Sequence, residues 1–289
     1  MILVHRESPS HWYHPNGTPI HEVERADGKG TRPTSLRDAR KLGLYPSVTN
    51  VLNVLAKPGL DAWRIEQGII SALTLPRRDG EPLDAFAHRV VEDMGSQVRD
   101  AADLGSAIHA AIETYAQSGQ VPTNPDVLRL FEPARAWFDA EVTRVHAVEE
   151  AVSHLSWGYA GRVDLVATLR STGRHAIIDF KSQKVRTGKD GSFQPIFYDT
   201  WPLQLEAYQR ALETRVPEFE SADIASVVIG STEPVPVSVR IWPREESTAR
   251  FRAFLAARQL WVWSKGYCPA AHDADRPDDD PPSALVNAA

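Results

Sequence analysis

Cysteine is almost missing from this 289-residue chain, Cys268 being the only one. A lone thiol excludes an intramolecular disulfide framework and any all-cysteine zinc or iron–sulfur site within one chain. It also makes the reducing cytoplasm the expected compartment. Long apolar runs are missing too: charges or prolines interrupt every stretch before it reaches the length of a membrane span, so no membrane partner is expected. The first residues, Met1-Ile-Leu-Val-His-Arg-Glu7, do not place a basic region before an apolar one, so no signal peptide is expected. Positive charge is in deficit, with 32 Lys and Arg against 38 Asp and Glu and a net charge of −6. That balance counts against a general nucleic-acid coating protein but leaves room for an enzyme with a local basic groove. No glycine-rich phosphate loop and no internal repeat occur, and without such a loop no ATP site is expected.

What is present is enough for a globular core. With 42% apolar residues and eight tryptophans, the chain can bury one large core or one core plus an appended subdomain. Residues 1–45 are polar and rich in glycine and proline, and read as a loop and hairpin extension. Ser47 is a helix cap before Val48, Val51, Leu52 and Leu55 at helical spacing. A second helical pattern covers 60–75, and a third, as one helix or two, runs from Pro82 to Ala116. Residues 46–100 are therefore expected to form a helical region packed on a core at 101–267. Residues 124–144 read as a helix with Pro133 as a possible kink. Three strands are expected next, over 145–155, 159–169 and 175–182. A helix over 203–212, a hairpin of strands at 224–230 and 235–242, and a closing helix over 243–266 complete the core. The Asp- and Pro-rich segment 268–289 reads as a disordered acidic tail. The order predicts an α+β fold with a central mixed sheet flanked by helices and a helical N-terminal region.

Two aspartates and a lysine on consecutive strands are the candidate chemistry. Asp179 and Lys181 stand two apart on one strand and share a face. Antiparallel pairing through the turn at 169–174 brings Asp164 alongside Asp179. Converging carboxylates repel unless a cation lies between them, and hard oxygen ligands suit Mg²⁺ or Mn²⁺. A lysine beside such an ion can orient a water or stabilise a transferring phosphoryl group. Solvated charges at a strand edge have the same composition, so Asp-x-Lys alone does not decide.

Three further signals align with these residues. Gly105, His109 and Glu113 fall on one helical stripe, and a helix-interior glycine costs about 1 kcal/mol against alanine, which implies close packing there. His109 can ligate a metal or serve as a hydrogen-bonded structural residue. Gln204 and Tyr208 sit one turn apart on the helix after the Asp-x-Lys strand, with Leu203, Ala207 and Ala211 assigned to its buried side. The basic residues Lys184, Arg186 and Lys189 follow Lys181, and Arg162 precedes Asp164, which puts positive charge where a phosphate backbone would lie.

Together these residues resemble the PD-(D/E)XK nuclease superfamily, in particular its RecB-like exonuclease branch, which includes phage-type members and is similar to CRISPR adaptation nucleases. The resemblance covers about half the chain, from Leu104 to Trp242, and rests on Gly105–His109, Gly161–Asp164, Asp179-Phe180-Lys181 and Gln204–Tyr208 in that order. It implies a restriction-endonuclease-like core and a metal-dependent DNA exonuclease that hydrolyses phosphodiester bonds in recombination, repair or end processing. It implies that His109, Asp164, Asp179 and the Phe180 carbonyl hold one or two Mg²⁺ or Mn²⁺ ions, that Lys181 positions the attacking water and steadies the transition state, and that Gln204 and Tyr208 bind DNA phosphate or orient Lys181. Glu113 and Glu149 are second candidates, with an ion pair to Arg162 or a nearby lysine as the alternative role of either. DNA is the implied partner, contacted by Arg162, Lys184, Arg186 and Lys189, with a single-strand annealing or recombination protein as a further one. The iron–sulfur cysteines of many adaptation nucleases are missing, so closure of the fold should come from the 48–75 helices packing on 251–263. A non-catalytic DNA-end or partner-binding module of the same fold, or a hydrolase of another phosphoester, is the alternative. His11, His14 and His21 do not complete a zinc site. Of Trp261 and Trp263, which could stack on bases, at least one is expected in the core.

Overall fold

The computed structural model describes residues 11–269, leaving aside the side chains of residues 97–102. Residues 270–289 of the expected acidic tail therefore lie outside the described residues.

The N-terminal extension is more ordered than its composition suggests. Strand β1 (Trp12–Tyr13) pairs antiparallel with β4 (Tyr45–Pro46), and β2 (Glu22–Glu24) with β3 (Thr31–Pro33) forms a hairpin. Between them lies a helix that was not expected, α1 (Leu36–Leu42). Its start is a reciprocal capping box, with Ser35 accepting from the Asp38 N–H and Asp38 accepting from the Ser35 N–H, and its end is Gly43 at φ 64°. Both devices satisfy orphan backbone groups that a seven-residue helix has in excess. Helix α2 (Val48–Leu52) follows its Ser47 cap and buries Val48, Val51 and Leu52.

Helix α3 (Pro58–Thr74) begins on a proline whose missing N–H costs nothing at that position. The segment expected as one helix or two is a single helix, α4 (Leu83–Ser118). It crosses residue 100 without interruption, so the boundary between the helical region and the core falls inside it. Its first half packs on α3, where Gly68 lies against Met94, and its second half buries Ile108, Ala111 and Ile112 against the sheet. Helix α5 (Pro125–Glu141) accommodates Pro133 and ends three residues earlier than expected, the chain passing straight into β5 (Val142–His154).

Strands β6 (Tyr159–Leu169), β7 (His175–Gln183), β8 (Asp223–Gly230) and β9 (Ser238–Ile241) complete a five-stranded sheet in sequence order. Its pairings are antiparallel except for parallel β7–β8. Parallel neighbours need a crossover, and α6 (Thr200–Glu213) supplies it. The result is a mixed α and β structure with a mixed central sheet flanked by helices. One face of the sheet packs under α2, α6 and the closing helix α7 (Ser247–Lys265), with Val163, Ile177 and Val228 meeting Leu205, Val51 and Phe254. The other packs under α4 and α5, with Leu165, Ile178 and Phe180 meeting Ile108 and Phe131. Closure against α7 comes from α2 and from Trp12, whose ring lies 6.0 Å from that of Trp261, whereas α3 packs chiefly on α4.

Candidate carboxylate site at the split end of the central sheet

The register of β6 and β7 explains how two acids come together. The strands pair from Thr168↔His175 to Leu165↔Ile178, and the next opposed residues are Asp164 and Asp179. There the ladder stops. The Phe180 N–H donates to Asp164 Oδ2 at 2.8 Å, so a carboxylate takes a backbone donor beside the end of the ladder. The same row continues onto β5: Val148↔Leu165 and Glu150↔Val163 leave Glu149 opposite Asp164. Glu149 has φ 52°, and among described non-glycine residues it is the one with positive φ. Val163 and Leu165, two apart, lie in the cores on opposite faces of the sheet, whereas a regular strand would put them on one face. The sheet is thus locally irregular where Glu149 faces Asp164, the kind of strain that persists where surrounding structure enforces it and that clusters at functional sites.

Asp179 is 2% exposed and held from two sides. Lys181 Nζ donates to its Oδ1 at 2.7 Å and lies 2.6 Å from its Oδ2, while Gln204 Nε2 donates to Oδ1 at 3.1 Å. Gln204 Nε2 also lies 3.1 Å from the Tyr208 hydroxyl. Gln204 therefore orients Asp179 rather than Lys181. Both Gln204 and Tyr208 are buried, while Leu203, assigned to the buried side, is half-buried. Glycine is required at 161 because a Cβ there would stand 2.5 Å from the Tyr208 ring. At 105 a Cβ would meet Ser182 Oγ at 2.7 Å, which lets α4 approach the end of β7.

Electrostatics act on Asp164 and His109. Burial, and then the neighbouring Asp179, hold Asp164 well above the ordinary carboxylate range. His109 Nδ1 lies 3.9 Å from Asp164 Oδ2, and burial, followed by the Lys181 charge, lowers its pKa, which favours the neutral imidazole a metal needs. A cavity of about 10 Å³, room for one water-sized occupant, is walled in part by His109, Glu113, Glu149 and Asp164. Asp179 Oδ2 is buried and has no aligned hydrogen-bond donor among the described residues. Hard oxygens, one neutral imidazole and excess buried acid suit a divalent cation in their chemistry. Among the described residues, however, no three His, Cys, Asp or Glu side chains are drawn together round one point. The Lys181–Asp179 contact occupies one of the acids that would turn toward an ion.

The remaining candidates divide. Glu149 accepts from Arg162 Nη1 at 2.8 Å, so the ion-pair alternative describes it, and Arg162 is committed to that pair. Glu113 accepts from Gln117 at 3.3 Å and stays on the cavity wall. Lys184 and Arg186 line a groove that begins at Lys181, whereas Lys189 lies outside its lining, in the small loop bridged by Thr187 and Phe193. Trp261 is core at 1% exposure and Trp263 is 87% exposed. The sequence did not single out Trp63, Tyr198 and Trp201, which meet in that groove. His11 and His21 stack with ring centroids 4.6 Å apart, beside Tyr13 and near Arg162. No known protein family matches this chain, and no curated protein is detectably similar to it in sequence. Among the described residues no helix is long and apolar enough to cross a membrane.

Proposed function

We propose that this chain is a divalent-metal-dependent deoxyribonuclease built on a restriction-endonuclease-like core, acting as an exonuclease. The observation that carries the reading is the row of acids at the split end of β6 and β7, with Lys181 seated on Asp179. Asp164, Asp179, His109 and the Phe180 carbonyl are the groups that would hold Mg²⁺ or Mn²⁺. The bound cation would supply Lewis-acid polarisation and a water acidic enough to attack at neutral pH.

The residues of the chain itself divide the remaining work. Hydrolysis joins a water oxygen to phosphorus and breaks the opposite phosphorus–oxygen ester bond in line, and charge collects on the phosphoryl oxygens. Lys181, 25% exposed, is placed to hold that charge once its contact with Asp179 is released. Gln204 keeps Asp179 in one rotamer, and Tyr208, packed on Gly161, keeps Gln204. Preorganisation of this kind costs no rearrangement at the moment of reaction. Lys184 and Arg186, both exposed, give the acidic chain a local positive track leading to Lys181.

End-labelled linear DNA and circular DNA, each incubated with Mg²⁺, Mn²⁺ or EDTA, test the reading. Metal-dependent shortening of linear DNA alone, lost in Lys181→Ala, is the expected result. Cleavage of circles would replace exonuclease by endonuclease. No cleavage of any DNA by a folded protein with metal present would remove the proposal.

A further inference from the structure

We infer that the groove between α3 and the loop after β7 binds single-stranded DNA, with bases stacked on Trp63 and Tyr198 and phosphates on Lys184 and Arg186. This rests on the nuclease reading for its direction toward Lys181, and names the form of DNA that the site receives. The groove has a volume of about 820 Å³ and runs from Gly59 and Trp63 on α3 to Lys181 at the end of β7. Its walls carry three cations, Lys181, Lys184 and Arg186, against one carboxylate, Glu66, the reverse of the chain's acidic balance. Lys184 and Arg186 are exposed, and no described acidic residue forms an ion pair with either. Unpaired cations beside a site are free to neutralise phosphates.

Aromatic placement decides between single strand and duplex. Tyr198 is 38% exposed, and Trp63 is half-buried on the facing helix. The Tyr198 ring is braced from behind by Trp201, 5.3 Å between centroids, and approaches α3 so closely that a Cβ on Gly59 would lie 3.3 Å from it. Gln183 anchors the loop by a reciprocal pair of bonds with the Ile196 backbone, at 2.7 and 3.0 Å, so the ring is carried on a fixed support. Aromatic rings lining a groove beside a cationic track are the equipment for stacking successive bases, whose faces a duplex conceals. Trp201, with Lys181 Nζ 6.0 Å from its ring centre, marks where the track meets the acids.

The test is fluorescence anisotropy in EDTA with a labelled single-stranded oligonucleotide and its duplex, so that binding is read without hydrolysis. The single strand should bind at least about 10-fold more tightly than the duplex. Trp63→Ala and Tyr198→Ala should each weaken it about 10-fold, within the range for one stacked base. Trp63→Phe should recover most of the loss and controls for folding, checked by thermal melting. Lys184→Ala should lower the salt dependence by about 0.7 in slope. Duplex binding equal to that of the single strand, or unchanged affinity in a folded Trp63→Ala protein, would overturn the inference. Cleavage assays alongside keep the two readings apart. Cleavage together with either overturning result removes the groove and leaves the nuclease, whereas tight single-strand binding without cleavage does the opposite.

Discussion

Two buried aspartates on neighbouring strands, Asp223 and Asp179, have opposite surroundings. Asp223, fully buried at the start of β8, accepts three hydrogen bonds from Arg174 at 2.8, 3.1 and 3.2 Å. The guanidinium fork matches a carboxylate in plane, and the strands around this pair remain zipped from His175 to Ile178. Asp179, midway along β7 and just past the last β6–β7 pair, has a lysine and Gln204, a buried Oδ2 without an aligned donor among the described residues, and a second acid across the split ladder. Burial of a carboxylate is therefore not what marks a site. A satisfied acid holds strands together; one that faces another acid across a split ladder is what the proposed metal site is built on.

The sharpest way to break the comparison is to remove charge around each aspartate. Asp179→Asn and Lys181→Ala should each lower cleavage by about 1,000-fold, the scale of losing a transition-state contact. The melting temperature of Asp179→Asn should stay level or rise, because relief of acid repulsion is a gain in stability, whereas that of Lys181→Ala should fall, because Asp179 is left buried without its cation. Arg174→Ala should lower stability by leaving Asp223 buried and alone, measured by urea unfolding, with cleavage at permissive temperature near wild type. A stability loss in Asp179→Asn equal to that in Arg174→Ala would erase the distinction.

The two glycines sharpen it. Gly161→Ala drives a Cβ into the Tyr208 ring, and should cost about 2 kcal/mol as well as activity through Gln204. Gly105→Ala meets only the Ser182 hydroxyl, which can rotate, and alanine regains about 1 kcal/mol of helix propensity, so its effect on stability should be near zero. The smallest effect concerns pH. His154, packed with Tyr159 and Phe251, has its pKa lowered from 6.5 to about 4, by burial and then by Arg258. Since the folded form resists protonation, its contribution is complete above 6.5 and is lost as pH falls toward 4. Melting temperature across that window should fall less steeply in His154→Phe than in wild type.

Much of the core was legible because its signals are local. Strands β6 and β7 follow from apolar runs bounded by turns, and the two-residue period places Asp179 and Lys181 on one face, where their side chains meet. Antiparallel register through a short turn then brought Asp164 opposite Asp179. Helix α1 was missed although Ser35-Leu-Arg-Asp38 and Gly43 are start and stop signals, because the polar surroundings outweighed them. The irregularity at Glu149 was beyond reach, since positive φ at a glutamate leaves no trace in composition. The same holds for the groove: Trp63 and Tyr198 are 135 positions apart in the sequence, and only the packing of α3 beside the loop after β7 unites them. Gln204 was placed on the correct helix, but its partner, Asp179 rather than Lys181, is a matter of tertiary geometry.

Mn²⁺ binding to the purified protein, followed by electron paramagnetic resonance of the free ion, tests the central claim most directly. The account predicts saturable binding by the wild-type chain that is lost in Asp164→Asn and in Asp179→Asn, while Asp223→Asn binds as wild type. Undiminished binding in Asp164→Asn and Asp179→Asn, or no saturable binding by a folded wild-type protein, would contradict it.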